Sequence, residues 1–244
     1  MNEQRSGGDR ATRARRIAVI NSNSSDLVTA QLADTAAPHL LPGTDAVFMN
    51  PDRGPRGIDT RFDLAVAAVE TAALVQAHAA DYDAFVVACG NDPGLAAARE
   101  ATPRPVVGIA EAGFLAACAF GQRFSVAVLA ERKAEGMRAL VRGYGLEHRL
   151  AGVVAAKSSS VAAATDADAL LAQLIEGCAR TGRAGLGDAL VLTGSVMGRI
   201  AAPLADAIGI PVVSGFLAGI RLAESLADAA PLARPATAVP NPAS

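Results

Sequence analysis

The sequence is poor in lysine and cysteine and has no tryptophan. Only Lys133 and Lys157 are lysines among 22 basic residues, and the formal net charge is -2. We therefore predict no nucleic-acid partner, because binding phosphate needs clustered Lys and Arg side chains. Three cysteines in 244 residues are an odd number and too few for a disulfide framework, which favours a reducing compartment. The predicted location is cytoplasmic.

Several signature motifs are also missing. No glycine-rich dinucleotide loop follows the first predicted strand, and no Walker-type, CxxC or HExxH pattern occurs, so we predict no cofactor and no metal. No run of about 18 apolar residues indicates a membrane span, and the charged N-terminal stretch lacks an apolar signal core. We predict no membrane association, with residues 1–15 as a disordered tail and the Pro/Ala-rich residues 229–244 as a flexible tail.

Short Val- and Ile-rich runs alternate with longer Ala- and Leu-rich segments of helical period, which is typical of an α/β protein with parallel sheets. Eight such strands fit either a closed eight-stranded barrel or two smaller sheets. An internal repeat favours two sheets. The segments "DAFVVACG" from Asp83 and "DALVLTGS" from Asp188 lie 105 residues apart, and "PVVG" from Pro105 and "PVVS" from Pro211 lie 106 residues apart.

We therefore predict two pseudo-symmetric lobes, each a parallel β-sheet flanked by helices, with the active site in the cleft between them. The first lobe comprises residues 16–110 and 214–228, and the second comprises residues 111–213. Ligands of open parallel sheets collect beyond the carboxyl ends of the strands, so the loops at those ends form the candidate site.

The stretch "FVVACGNDPGL" places Cys89 where a buried strand changes into a loop. Asp92 and Pro93 are typical of a helix N-terminus, and a thiol just before such a terminus has a lowered pKa. A thiol of this kind can exchange a proton with carbon, so Cys89 is the candidate acid/base. The alternative is an ordinary buried strand residue. Cys118 and Cys178 lie within apolar helical segments and are interpreted as core residues.

The loop "INSNSSD" after the first strand offers amide and hydroxyl groups that suit a carboxylate or an imide carbonyl. Its candidate ligand-binding residues are Asn21, Asn23, Ser24 and Ser25. A serine that only caps the next helix is the alternative. The Gly/Pro-rich segment 50–63 carries three arginines, Arg53, Arg56 and Arg61, and is either a loop over the cleft or a solvated surface loop.

The loop "LTGSVMG" corresponds in the repeat to the Cys89 loop, and Gly194 occupies the position of the cysteine. Thr193 and Ser195 flank that glycine, and the loop's backbone N–H groups could bind an oxyanion. The alternative is a glycine-containing turn in which Ser195 is a helix cap. Neither lysine lies at a convincing strand end, so the sequence does not indicate a Schiff-base enzyme.

These motifs resemble the aspartate/glutamate/hydantoin racemase superfamily, most of all its hydantoin and allantoin racemase branch. The similar segments are "INSNSS" from Ile20, "GPRGID" from Gly54, "ACGNDPGLAAARE" from Ala88, "PVVGIAEA" from Pro105, "RFSV" from Arg123 and "LVRGYGLE" from Leu140. The resemblance implies two pseudo-symmetric α/β lobes, no cofactor, and two cysteines that exchange protons with opposite faces of the substrate's stereocentre. It makes Cys89 the first of these cysteines.

The second cysteine of the resemblance is missing. A "GCxGM" stretch normally carries it, and the corresponding residues are "TGSVM", with Gly194 at the cysteine position. Leu129 and Ala130 also replace the threonine-rich end of the second lobe's first strand. Three interpretations stay open. Thr193, Ser195 or a water replaces the thiol in a racemase; the single cysteine protonates one face in a decarboxylase, lyase or tautomerase; or the cleft only binds a small carboxylate or cyclic ureide.

We predict a cofactor-independent racemase or isomerase that transfers a proton at a carbon next to a carbonyl of a small amino-acid-derived or hydantoin-like substrate. The predicted catalytic residues are Cys89, Thr193 and Ser195. The predicted substrate-binding residues are Asn21, Asn23, Ser24, Ser25, Gly90, Asn91 and Gly194. The expected partner is a small molecule, and the resemblance is compatible with a homo-oligomer.

Overall fold

The computed structural model describes residues 14–229, which form two parallel four-stranded sheets surrounded by helices. The first sheet has the order β2-β1-β3-β4. Its strands are β1 (Arg15–Ile20), β2 (Thr44–Met49), β3 (Ala84–Val87) and β4 (Val106–Gly108). The helices between these strands are α1 (Asp26–Ala36), α2 (Arg61–Ala77) and α3 (Leu95–Ala101).

The second sheet has the order β6-β5-β7-β8. Its strands are β5 (Phe124–Val128), β6 (Leu150–Ala155), β7 (Ala189–Leu192) and β8 (Val212–Ser214). The remaining helices are α4 (Ile109–Ala117), α5 (Ala134–Gly143), α6 (Ser160–Thr165), α7 (Ala167–Leu186), α8 (Ala201–Ile208) and α9 (Gly215–Ala229). Short 3-10 helices cover Ala37–His39, Glu131–Lys133, Glu147–Arg149 and Ser195–Ile200.

The two strand orders coincide when β5 to β8 are placed on β1 to β4, which confirms the predicted pair of pseudo-symmetric α/β units and excludes the closed barrel. The repeated aspartates have the same structural role in both sheets. An Asp83 carboxylate oxygen accepts from the Arg16 N–H at 2.9 Å, and an Asp188 oxygen accepts from the Arg123 N–H at 3.0 Å. Each aspartate therefore joins the start of its own strand to the start of the neighbouring central strand.

Strands β3 and β7 are apolar along their whole length because helices cover both faces of each sheet. Every residue of β3 and β7 is buried. Helix α9 packs through Phe216 and Ile220 on the first sheet, whereas α4 packs through Phe114 on the second. Each helix thus follows the last strand of one sheet and covers the other sheet. Because of this packing, we propose that α9 belongs to the first lobe and α4 to the second, as in the predicted division.

Several element boundaries differ from the sequence prediction. Strand β1 begins at Arg15, inside the predicted tail, and α9 ends at Ala229. Residues 1–13 and 230–244 of the predicted tails lie outside the described residues. Between β6 and β7, the short helix α6 precedes α7, and α7 is broken at Gly182, where φ is 71°. No helix within residues 14–229 is long and apolar enough to cross a membrane.

Candidate active site

The carboxyl ends of β3 and β7 meet face to face. A Cβ atom added to Gly90 would lie 2.5 Å from the carbonyl oxygen of Thr193 and 3.1 Å from the nitrogen of Gly194. A side chain at residue 90 would therefore push the two loops apart, because real Cβ atoms do not approach backbone this closely. The two corresponding loops of the repeat are thus in backbone contact, as the sequence comparison requires.

A cleft of about 880 Å³, including its open mouth, lies beyond these strand ends. It contains eight of the ten predicted site residues: Asn23, Ser25, Cys89, Gly90, Asn91, Thr193, Gly194 and Ser195. Most of the remaining wall is apolar. Neither Cys118 nor Cys178 lines the cleft, and Cys178 is buried in the core of the second sheet.

Cys89 is half-buried in this cleft and is held in a turn, because the Asp92 N–H donates to the Cys89 carbonyl oxygen at 2.9 Å. Burial raises the pKa of its thiol to about 11. The Asp92 carboxylate acts in the same direction, whereas the Asn91 N–H and the Lys133 ammonium lower the pKa only in part. The predicted lowering of this pKa is therefore wrong. Helix α3 begins only at Leu95, six residues after Cys89, so its N-terminus is not adjacent to the thiol.

Asp92 caps α4, not the helix that follows it in sequence. Its carboxylate oxygens accept from the N–H groups of Ala110 at 3.0 Å and Glu111 at 2.9 Å, and from the Tyr144 hydroxyl at 2.7 Å. Asp92 is 6% exposed, and its φ of 45° lies in the left-handed region. Burial raises the pKa of this carboxyl to about 6, although all three hydrogen bonds oppose that shift. A buried carboxylate thus fixes the end of the Cys89 turn to α4 and α5.

The loop after β1 divides into residues that build the loop and residues that line the cleft. Asn21 is buried, and its amide donates to Asn23 Oδ1 at 3.0 Å and to Thr29 Oγ1 at 3.0 Å. Ser24 Oγ donates to the Gly54 carbonyl oxygen at 3.0 Å. Neither Asn21 nor Ser24 is among the described residues that line the cleft, so their predicted contact with substrate has no support from this geometry.

Ser25 and Asn23 differ from those two residues because they reach the cleft. Ser25 Oγ accepts from the Val28 N–H at 3.4 Å and therefore also caps α1. Asn23 uses its Oδ1 to accept from the Ser25 N–H at 2.9 Å and from the Asn21 amide. The side-chain N–H groups of Asn23 have no partner within residues 14–229, and they are available to a ligand carbonyl.

The loop after β7 offers fewer polar groups than predicted. Thr193 is 3% exposed, and its hydroxyl donates to the Ala127 carbonyl oxygen at 3.2 Å. Ser195 lines the cleft and begins the 3-10 helix, and its hydroxyl has no hydrogen-bond partner in the described part of the chain. A Cβ added to Gly194 would lie 2.8 Å from the Met197 sulfur, so this thioether fills the space of a side chain at position 194. Ser195 therefore supplies the free hydroxyl of this loop.

Residues 17–223 match the family model described as Asp/Glu/Hydantoin racemase. The chain belongs to the Asp/Glu/hydantoin racemase family. It is 35% identical over 213 residues to the hydantoin racemase of Paenarthrobacter aurescens. The aligned region covers 86% of this chain and 90% of that protein. These findings confirm the resemblance inferred from the motifs.

Solved structures agree with this family. The allantoin racemase from Klebsiella pneumoniae superposes with a TM-score of 0.80 at 33% identity, over 88% of each chain. The allantoin racemase from Pseudomonas fluorescens superposes with a TM-score of 0.87 at 25% identity, over 94% of this chain and 98% of that one. Together with the hydantoin racemase relatives, they indicate an isomerase.

The racemase fold also brings to the cleft residues that the sequence reasoning missed. Lys133 follows β5 by one 3-10 turn, and Ser160 begins α6; both line the cleft. The run "SSSVAAAT" carried a usable signal, because a serine before an Ala-rich segment is typical of a helix start. Ser159 indeed caps α6 by accepting from the Ala162 N–H at 3.2 Å. No comparable local signal marks Lys133, whose position depends on the tertiary fold.

The Gly/Pro-rich segment 50–63, which runs from the end of β2 into the start of α2, lies over the cleft in part. Its Ile58 and Arg56 line the cleft, and Arg61 lines a neighbouring cavity, whereas Arg53 lines neither. Lys133 Nζ donates to the Ile58 carbonyl oxygen at 2.8 Å and lies 2.8 Å from Asp59 Oδ1. The segment of the first lobe is therefore attached to the second lobe at the edge of the cleft.

Proposed function

We propose that the chain is a cofactor-independent isomerase of the racemase type that acts on a small hydantoin-like or amino-acid-derived substrate, with Cys89 as the acid/base. The observation that carries this proposal is the position of the Cys89 thiol, in the cleft and beside the backbone contact between the two lobes. The names of the relatives support the substrate class. A cytoplasmic location and a homo-oligomer remain predictions.

The reaction requires two proton transfers at one carbon. The Cys89 sulfur takes the proton from the carbon next to the carbonyl, and the electron pair moves onto the carbonyl oxygen as an enolate. A proton delivered to the opposite face restores the C–H bond with inverted configuration. We assign that donation to the Ser195 hydroxyl or to a water beside it. The donor then regains a proton from solvent, and the Cys89 thiol returns its proton to solvent. The Thr193 hydroxyl is a poor candidate because it already donates to Ala127.

The raised pKa of Cys89 makes its thiol a better proton donor than proton acceptor at neutral pH. With a pKa of about 11, only about one thiol in ten thousand is ionised at pH 7. The resting enzyme therefore holds a protonated thiol, which is suited to give a proton to an enolate. Proton removal from substrate proceeds through the minor thiolate form and becomes faster as pH rises toward 11. This predicts a rate of exchange that increases with pH above neutrality.

A second function is favoured by Gly194. This residue has no side chain that could donate a proton, so the face opposite Cys89 lacks the second thiol of the resemblance. In a one-face reaction, a dicarboxylate substrate loses CO₂, the bond's electron pair remains as an enolate, and the Cys89 thiol supplies the proton. Such an enzyme would be a stereospecific decarboxylase and would not interconvert enantiomers.

Hydrogen exchange in D₂O separates these functions. One enantiomer of 5-benzylhydantoin is incubated with the native protein, and both the deuterium content and the configuration are followed by NMR and chiral chromatography. Deuterium in the inverted product supports the racemase. Deuterium in the retained enantiomer alone supports one-face chemistry with Cys89. Binding without hydrogen exchange of the hydantoin or of a panel of amino acids, and without CO₂ release from a panel of malonates, contradicts both functions and leaves a binding protein.

A further inference from the structure

The charged side chains on the cleft wall are all cationic. Among the described residues that line the cleft, Arg56 and Lys133 are the charged members, and no Asp or Glu is present. Arg61 and Arg132 line the neighbouring cavity, which shares Lys133 with the cleft. The aspartate of this region, Asp59, lines that second cavity and not the cleft. Within the described residues, the cleft wall therefore carries two cationic side chains and no carboxylate.

Lys133 is fixed at the wall, with a side-chain exposure of 16%. Its ammonium contacts Asp59 Oδ1 at 2.8 Å and the Ile58 carbonyl at 2.8 Å, and the third contact, to Ser160 Oγ, is long at 3.4 Å. Ser160 Oγ also lies 2.9 Å from Asp59 Oδ1, so it keeps a partner without the lysine. One N–H of the ammonium can therefore turn to a ligand oxygen at little cost.

Arg56 is placed beside the same space by the backbone on both sides of it. The Ser24 N–H and hydroxyl donate to the carbonyls of Pro55 and Gly54, both at 3.0 Å, and Lys133 holds the carbonyl of Ile58. The Arg56 guanidinium itself has no ion pair or hydrogen bond within residues 14–229. An anchored backbone with an unpaired guanidinium is an arrangement that binds a carboxylate when one arrives.

The strand end next to Lys133 offers no side-chain donor, because Leu129 and Ala130 follow β5 there. Large apolar side chains form much of the remaining wall, including Leu27, Val28, Met137, Val161 and Val196. A ligand that contacts both the cationic and the apolar parts of the cleft wall has an anionic group at one end and an apolar body. A neutral cyclic ureide would leave the Arg56 guanidinium without an anionic partner.

We propose that this cleft takes a small carboxylate with an apolar substituent, and that Lys133 and Arg56 bind its anionic group. The inference rests on the proposed function, because it assigns the substrate class of the same site. It differs from that function in what it requires, since charge selection by Lys133 and Arg56 needs no proton transfer by Cys89.

Two probes with the same side chain test the assignment by calorimetry at pH 7.5. N-carbamoyl-phenylalanine is the ring-opened, anionic form of 5-benzylhydantoin, which is neutral. We expect the carboxylate to bind about tenfold more tightly to the native protein, with an affinity that falls as salt is added. Arg56→Met and Lys133→Met should each weaken the carboxylate about tenfold and leave the hydantoin within about twofold.

The chain offers matched controls for both substitutions. Arg53→Met changes an arginine of the same segment that does not line the cleft, and Lys157→Met changes the other lysine, which is exposed. Both should leave the two affinities unchanged. Lys133→Arg keeps the charge and should retain most of the carboxylate binding, which separates charge from the structural contact to Asp59.

Three results would overturn the inference: equal or tighter binding of the hydantoin, unchanged carboxylate binding in both cation variants, or equal weakening of both probes. Failure of the proposed function looks different. If the native protein exchanges no hydrogen of any substrate but prefers the carboxylate through Arg56 and Lys133, the reaction is refuted and the ligand class stands.

Discussion

The two strand-end turns that meet in the cleft are closed by the same hydrogen bond and carry different side chains. In the first, the Asp92 N–H donates to the Cys89 carbonyl at 2.9 Å; in the second, the Met197 N–H donates to the Gly194 carbonyl at 3.0 Å. The fourth residue is a buried carboxylate in one turn and a buried thioether in the other. The first residue is a thiol in one and a hydrogen in the other.

This difference shows what the internal repeat preserves. The repeat preserves the strand order, the aspartates that join the starts of neighbouring strands, and the hydrogen bond that closes each turn. It does not preserve the groups that could transfer protons. The asymmetry of the cleft therefore lies in these side chains and in the left-handed backbone at Asp92. Single substitutions at equivalent positions can test the side chains.

The largest effect is expected from Cys89→Ala, which leaves both turns without a thiol at the first residue. Loss of a general acid/base costs on the order of a thousandfold in rate, so substrate hydrogen exchange should fall by about that factor. Single-turnover deuterium incorporation measures it, and an unchanged thermal midpoint shows that the fold is intact. Cys118→Ser, at a thiol outside the cleft, is the control. Exchange at the native rate in Cys89→Ala would mean that the thiol is not the proton-transfer group.

The next effect concerns the fourth residue of the first turn. The pKa of Asp92 is raised to about 6 in the folded chain, above its ordinary value, so this group favours folding in its protonated form. Its contribution to the free energy of unfolding is present at low pH and is lost as pH rises through about 6. Relative to Asp92→Asn, the native protein should gain about 2 kcal/mol between pH 7.5 and pH 4.5.

Urea unfolding of both proteins at the two pH values measures this difference, because the other carboxyl groups titrate in both and cancel. Tyr144→Phe is the control, since it removes the 2.7 Å hydrogen bond and keeps the carboxyl. This variant should retain the pH dependence. If the native protein and Asp92→Asn respond to pH in parallel, the carboxyl does not titrate in this range.

Gly194→Cys tests whether the second turn lacks only the thiol. The new Cβ would lie 2.8 Å from the Met197 sulfur, so this flexible side chain must move before the thiol fits. We expect about a tenfold increase in inverted, deuterated product, and a larger gain when Met197→Ala is added. Gly194→Ala introduces the same Cβ without a thiol and should show no gain. An equal increase in Gly194→Ala would assign the effect to packing.

Much of this comparison could be predicted from the sequence, because its signals are local or repeated. The alternation of strands and helices and the 105-residue repeat predicted the two-sheet fold, and the "ACGNDPGL" motif singled out Cys89. The partner of Asp92 could not be predicted in this way. Asp92 and Pro93 look like a cap for the next helix, yet the left-handed backbone at Asp92 directs the carboxylate to α4.

Lys133 illustrates the same limit over a longer distance. Its residue number gives no indication that the Ile58 carbonyl lies 2.8 Å from its ammonium, because that contact joins residues 75 positions apart. Asn21 shows the opposite error. The polar loop predicted a contact with a ligand, but the Asn21 amide donates to Asn23 and Thr29 instead. Local patterns predicted which backbone ends meet, and tertiary contacts decided which side chains remain free.

The smallest effect distinguishes the two hydroxyls beside Gly194. Ser195→Ala removes the hydroxyl that has no partner in the described chain, so the inverted product should fall about threefold while retained exchange is unchanged; water then remains the donor. Thr193→Val should not alter the product ratio, because its hydroxyl faces Ala127. It should instead cost about 1 kcal/mol of unfolding free energy from the lost 3.2 Å hydrogen bond. If Thr193→Val lowered the inverted product and Ser195→Ala did not, Thr193 would be the proton donor. The second turn would then supply a proton-transfer group opposite Cys89.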